Sequence, residues 1–569
     1  MIDPGHRRTY GAAALFAALT LIATFPIILA PGSYTFFTHS DAQLNMWIMA
    51  WDAHALAHSP LHLLDANIFV PEPGTLLYSE TLLGYAPIFA PIFWLGGTPP
   101  LANNAVFLFS VAASGITMYL LARHLTGRHW PAIAAGIAYA FVPYRFVHIP
   151  QIQLTALEWI PLAFLCLHLL VERGAVRYAV GLGASVAMQA YCCVYYSVFL
   201  AIALVAGGVV LFVTDARARS KRTIALLAAT GFATAVAVAP LLAAYERVHR
   251  TRGLTRSIEE IAARSAVVST YFASTSRLHQ WLWAGLPLRP RDYLYPGMLA
   301  TALAALGIVT AMVRSKHWPD LSTRRSTVVM YAAIALVGLA ASFGPDGIAG
   351  MSLYRPLAAG VPLLQGLRQT TRFGILVIFG VGVLSAFGAA RLEPALRRFG
   401  VAGPALLAAL IFVDVLVAPL RTDRPDGDAL VRVPETPPVY RWLADQPGKF
   451  AILELPYAPE GLLWQNASYV YWSTVHWHGV VDAYSGFASP DYRSLTRILD
   501  GFPDELSRQA LLKRHVLFVI VHRDRYQGWN RPLNYPRIDR TQWLSRVAQF
   551  PGVDVLRVDP EAGLLTDAR

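Results

Sequence analysis

The chain has 569 residues, of which 55% are hydrophobic and only 14% charged, and its formal net charge is +12. A soluble chain carries nearer a quarter charged residues, so this composition excludes a wholly soluble globular protein and points to lipid as the solvent for much of the surface. Lysine is confined to Lys221, Lys316, Lys449 and Lys513, and arginine supplies the rest of the positive charge; in such a chain that fits Arg-rich cytoplasmic connectors better than nucleic-acid binding.

Arg7 and Arg8 precede an apolar run over residues 10–30. The run is too long for a signal-peptide core and no small-residue cleavage site follows, so it predicts an uncleaved first span. A fifty-residue loop, 31–80, comes next. Within it His39 to His54 predicts an amphipathic helix at the membrane interface, capped by Ser40 or Asp41 and rich in Trp and Met. The loop holds Asp41, Asp52, Asp65, Glu72 and Glu80, and no Lys or Arg. Asp41 and Asp52 are eleven positions apart on nearly the same helix face, about 16 Å along the axis, so they do not share one site.

Residues 81–97 are apolar enough to cross but contain Pro87 and Pro91, and proline in a helix interior costs about 3 kcal/mol. This segment predicts a re-entrant or outer-leaflet helix rather than a span. Further spans are predicted at 103–122, 129–147, 155–172, 178–193, 195–213, 223–243, 297–313, 327–343, 373–390 and 402–420, which makes about eleven with the first. Arg123 and Arg128, Arg173 and Arg177, the group from Arg217 to Arg222, the group from Arg314 to Arg325, and Arg391 with Arg397 and Arg398 occupy every second connector. Under the positive-inside rule these connectors and the N-terminus face the cytoplasm. The long connectors, 31–80, 244–297 and 344–372, then face outward, as does the C-terminal part. Cys166, Cys192 and Cys193 lie in apolar segments and form no disulfide framework or zinc spacing.

From Arg421 onward the composition becomes that of a soluble domain. Pro438 to Ala444 and Asp504 to Lys513 predict helices, and residues 450–455, 516–521 and 553–558 predict strands, so 421–569 is expected to be a small α/β domain after a 1–420 transmembrane domain. The aromatic cluster from Tyr469 to Phe487 fits a core better than a sugar-stacking platform.

Several short stretches carry a family likeness. They are Ser40-Asp41-Ala42-Gln43 with Trp47 and Trp51, Pro143-Tyr144-Arg145-Phe146-Val147-His148, Tyr295-Pro296-Gly297, and Val361-Pro362 with Arg368 and Arg372-Phe373. In the tail they are Ser473-Thr474-Val475-His476 and Asp482-Ala483-Tyr484-Ser485-Gly486-Phe487. With a long first loop bearing an acid just past the first span, many spans and a C-terminal soluble part, the chain resembles the C-type (GT-C) glycosyltransferase superfamily, and within it the bacterial YfhO-type branch. Asp482-Ala483 stands where that branch carries Asn-Gly.

The resemblance implies a membrane enzyme of the bacterial inner membrane. It would transfer sugar from a polyprenyl-phosphate-linked donor to an envelope glycan, lipid or protein acceptor on the outer face. Asp41 would be the catalytic base, and direct displacement would invert the anomeric centre. Such a reaction needs cations for the departing phosphate. The 244–297 loop offers Arg247, Arg250, Arg252, Arg256, Arg264, Arg277, Arg289 and Arg291, and Arg368 and Arg372 stand at i and i+4. Arg has the planar fork suited to phosphate. Tyr144, Arg145, His148, Gln151, Gln153 and Glu158 cluster at one end of a span, where polar groups are costly unless they serve a cavity or a partner, and are expected to bind sugar or phosphate. No cofactor is expected; a divalent metal has weak support, because the first loop lacks an Asp-x-Asp pair and His54, His58 and His62 fit a helix face as well as a metal site. Against the enzyme stand a transporter or lipid flippase, disfavoured by the absence of internal repeats, and a non-catalytic envelope assembly protein on the same scaffold.

Overall fold

A computed structural model describes residues 4–253, 256–282, 292–312, 325–422, 429–526 and 535–561. The chain folds as two compact units. One comprises Met1–Pro31, Asn104–Ala243 and Thr255–Thr422; the other comprises Gly32–Asn103, Ala244–Leu254 and Asp423–Arg569.

The first unit is helical. Each predicted span coincides with a helix or a broken pair of helices, and six of these are long and apolar enough to cross a bilayer by length and composition: Pro99–Thr126, Ile152–Arg173, Val194–Thr214, Lys221–Arg252, Arg325–Ser342 and Thr370–Phe399. Two predicted spans are shorter as helices, Met298–Met312 and Ala402–Val415. The predicted 129–147 span breaks at Phe141, giving His129–Ala140 and Pro143–Val147, because Pro143 has no N–H to continue the ladder. Helix Gly374–Leu396 is buried along most of its length and packs against Met298–Met312, Arg325–Ser342 and His129–Ala140. Apolar helices in lipid gain little from hydrophobic burial against each other, so close backbone approach through small residues must hold them. Gly388 shows how close. A Cβ there would lie 1.9 Å from the Leu303 carbonyl oxygen.

The second unit is mixed. Its larger sheet has five strands in the order β4-β3-β5-β7-β6. Counting the β1–β2 pair first (Tyr34–Thr35 and Val431–Arg432), these are β3 Ala451–Leu455, β4 Gly479–Val480, β5 Val516–His522, β6 Leu544–Phe550 and β7 Val553–Val558. Strand β3 runs parallel to β4 and β5, while β7 is antiparallel to both β5 and β6. The expected strands 450–455, 516–521 and 553–558 are β3, β5 and β7. Strands β3 and β5 are buried along nearly their whole length, as strands covered on both faces are, whereas β7 carries an exposed Arg557. Strand β6 gave no clear signal because none of its residues is buried and Ser545, Arg546 and Gln549 interrupt any apolar run.

The 31–80 loop belongs to this unit rather than lying apart from it. Strand β1 pairs with β2, and Ile68 bridges Val480 at the outer edge of β4, covering an otherwise open sheet edge. Helix Ser40–His58, expected to be amphipathic, is instead buried on all sides from Ala42 to Ala53. It packs against Ala467–His476 and Ala86–Trp94, so what looked like a lipid-facing surface is a core. Ala86–Trp94 itself, from the 81–97 segment, has nine residues. At about 1.5 Å per residue it rises about 14 Å, half the hydrocarbon thickness.

Candidate functional site

The residues singled out in the sequence fall into two groups, one in each unit. In the mixed unit His39 caps helix Ser40–His58, its Nδ1 accepting from the Asp41 N–H at 3.1 Å. Asp41 is therefore not the cap. Its carboxylate lies in the first helical turn, where the helix dipole favours negative charge, and its Oδ1 accepts the Tyr484 phenolic hydrogen. Ser40 Oγ donates to the same Tyr484 oxygen at 3.3 Å. Asp41 is half-buried.

The other acids of the loop are engaged or sealed. Asp52 is 1% exposed and neither of its carboxylate oxygens has a hydrogen-bond partner; burial pushes its pKa well above the ordinary carboxylate value. Asp65 accepts from the Gly74 N–H and meets His62. Glu72 accepts from Tyr78 at 2.7 Å and from Ser489, and pairs with Arg252 at 3.0 Å. His54 stacks on Trp477 and on His58. Among the described residues no group of three His, Cys, Asp or Glu side chains is gathered for a metal ion.

In the helical unit Tyr144 and Tyr196 share a hydrogen bond of 3.0 Å between their hydroxyls, and His148 Nδ1 lies 2.8 Å from the Tyr144 carbonyl. The other ring nitrogen of His148 is 3.7 Å from Asp292, whose second oxygen accepts from Thr371 at 3.1 Å. The neighbouring Arg372 guanidinium lies 5.0 Å from the Tyr195 ring centroid, a cation–π arrangement. Glu260 pairs with Arg368 at 2.8 Å and with Arg256 at 3.6 Å. Burial, with Arg368 and Arg372 close by, pushes the Arg264 pKa below its ordinary value.

Arg145 and Glu158 are sealed in the interior, 0% and 2% exposed. Arg145 donates to Ser114 Oγ at 2.7 Å, and Glu158 accepts from Ser110 Oγ at 2.7 Å, both partners lying on helix Pro99–Thr126. Gln151 sits in the turn that joins His148 to Leu154 through backbone hydrogen bonds. The Arg-rich loop is divided between the units: Arg247, Arg250 and Arg252 end helix Lys221–Arg252 in the mixed unit, while Arg256, Arg264 and Arg277 belong to the helical unit. Arg289 and Arg291 lie outside the described residues. Sequence reasoning missed Asp292, Tyr195, Tyr196 and Glu260. The one available signal was position: Asp292 stands just before the Tyr295-Pro296-Gly297 stretch, and both tyrosines follow the break between helices at Cys193.

No protein-family model matches the chain, and no curated protein matches it. Among solved structures, the arabinofuranosyltransferase AftD from Mycobacteria aligns over 97% of this chain and 40% of its own, with a TM-score of 0.61 and 16% identity. The chain thus spans about two fifths of that protein's length. The archaeal oligosaccharyltransferase AglB from Archaeoglobus fulgidus aligns over 91% of this chain and 69% of its own, at a TM-score of 0.49 and 10% identity. The likeness to AftD is one of fold alone, over a mostly helical chain with several apolar helices long enough to cross a membrane.

Proposed function

We propose that this chain is a membrane glycosyltransferase that moves a sugar from a polyprenyl-phosphate-linked donor to an envelope glycan, lipid or protein acceptor at the outer face of a bacterial inner membrane. In this reading the eleven helical segments cross the bilayer with the N-terminus cytoplasmic, and the YfhO-type branch is the placement within GT-C enzymes. Asp41 is the base. It takes the proton of the acceptor hydroxyl as that oxygen attacks the anomeric carbon; the bond from that carbon to the lipid phosphate breaks on the opposite side, inverting the centre. Within the helical unit, Arg256, Arg264, Arg368 and Arg372 are the groups suited to a phosphate, with Tyr144, His148 and Gln151 suited to a sugar or phosphate. Arg145 and Glu158 tie this part of the chain to helix Pro99–Thr126 through Ser114 and Ser110.

The observation that carries the reading is the contrast within one helix of a GT-C-like fold: Asp41 is presented half-buried in the first turn, whereas Asp52 is sealed. A base must meet the acceptor, so accessibility separates the two. The test is transfer of radiolabelled sugar from a panel of polyprenyl-phosphate donors by the purified protein in nanodiscs. Asp41→Asn is expected to lower kcat by roughly 10²–10⁴-fold while the protein elutes as the wild type does. Full activity in that variant removes Asp41 as the base.

A further inference from the structure

The tail stretch Asp482-Ala483-Tyr484-Ser485-Gly486-Phe487 is anchored at several points within the mixed unit. The Glu454 N–H of strand β3 donates to Asp482 Oδ2 at 2.5 Å. Asn466, fully buried, donates to the Ala483 carbonyl at 3.1 Å and to the Tyr492 hydroxyl at 2.9 Å. Gly486 passes so close to the Tyr78 carbonyl oxygen that a Cβ would lie 2.5 Å from it. Ser489 then donates to Glu72 of the 31–80 loop. The segment is pinned on both sides of Tyr484, and Tyr484 is the residue that meets Asp41.

We propose that Tyr484 is a positioning residue for Asp41, so that the C-terminal segment sets the geometry of the base; this rests on the reading of Asp41 given above. The chemistry says what kind of help Tyr484 gives. An unperturbed phenol titrates near pH 10 and donates at neutral pH. Tyr484 helps by holding the Asp41 carboxylate in one rotamer, with Oδ1 engaged by the phenol and the plane of the group set before the acceptor arrives. Ser40 Oγ, donating into the phenol oxygen, polarises the same O–H toward Asp41.

The test has two readouts on the full chain in nanodiscs. The first is the rate of Asp41 modification by a water-soluble carbodiimide, followed by peptide mass spectrometry, which needs no sugar donor. Tyr484→Phe is expected to raise that rate roughly threefold or more by releasing Oδ1. The second is sugar transfer, where the same variant is expected to lose roughly tenfold or more in kcat with KM for the donor within about twofold. Introducing 3-fluorotyrosine at position 484 keeps the donor and restores both values. Tyr457→Phe, which removes another buried phenol of this unit, leaves both unchanged and controls for general loosening. An unchanged labelling rate and an unchanged kcat in Tyr484→Phe overturn the proposal. A changed labelling rate in a protein with no transfer activity upholds the positioning contact and removes the glycosyltransferase reading instead.

Discussion

Asp41 and Asp52 ride one helix eleven positions apart, yet the first is half-buried at the N-terminal turn and the second is sealed with no hydrogen-bond partner. Burial raises the Asp52 pKa well above its ordinary value. Below the unfolded carboxyl pKa both states are protonated and stability is intact. As pH rises above it, the unfolded chain ionises while the folded side chain stays neutral, so stability is lost toward pH 7. Asp52→Asn removes that loss. We expect it to stabilise the protein more at pH 7 than at pH 4. Thermal unfolding followed by tryptophan fluorescence at both pH values checks this, and a variant less stable than wild type at pH 7 contradicts it.

Two histidines of the same unit, half-buried His54 and buried His476, give a dependence of opposite sign. Burial lowers the His54 pKa to about 4 and the His476 pKa to about 3, with His58 and His478 respectively adding to the effect. Both rings are neutral in the folded state at pH 5, while the unfolded chain binds protons below about pH 6.5. Stability is thus full above 6.5 and falls as pH drops toward 4 for His54 and toward 3 for His476. In the Asp52→Asn background, where the competing carboxyl is absent, the melting temperature should fall steadily from pH 7 to pH 4.5. Adding His54→Gln should flatten that slope, and an unchanged slope would falsify the assignment to His54.

Glu72 gathers Tyr78, Ser489 and Arg252 around one carboxylate whose side chain is 6% exposed. Replacing it by Gln leaves the Arg252 guanidinium without its counter-charge, and breaking a buried pair in this way costs about 3–5 kcal/mol. Glu72→Gln should therefore lower the melting temperature far more than Glu460→Gln, whose partner Arg493 is exposed and whose ion pair contributes about 0–1 kcal/mol. Equal effects at the two positions would contradict the buried network.

Arg368 and Arg372 are one helical turn apart in sequence and differ in surroundings. Arg368 is solvent-exposed and paired with Glu260, whereas Arg372 packs its guanidinium over Tyr195 beside the His148–Asp292 pair. Lysine cannot reproduce a planar fork stacked on a ring. Arg372→Lys is expected to raise KM for a polyprenyl-phosphate donor roughly tenfold, and Arg368→Lys by about twofold or less. The reverse ranking would move the phosphate contact to Arg368.

Much of the architecture was legible because composition and periodicity report on solvent and burial. Long apolar runs became helices, and the runs at β3, β5 and β7 became strands of one sheet. What misled was the helix from Ser40 to His58, where Trp, Met and polar residues alternate as they would at a lipid interface. Only the packing of Ala467–His476 and Ala86–Trp94 against it turns that surface into a core. The capping expectation failed for a related reason. Ser40 and Asp41 are better cap formers than histidine in isolation, but Asp41 is engaged by a tyrosine 443 positions away, and His39 takes the cap.

By itself, then, the sequence determined that much of the chain suits lipid, where its helices run, and that the C-terminal quarter alternates helix and strand. These are properties of local composition, each decided within some twenty residues, whereas the weight on an acid in the first long loop came from the family resemblance. Which acid is accessible, and what holds it, came only from tertiary structure. Asp41 and Asp52 are the same residue type on the same helix, so no local rule separates them. Their difference lies in what the distant segments place around each: the phenol of Tyr484 at one, and full burial without a hydrogen-bond partner at the other.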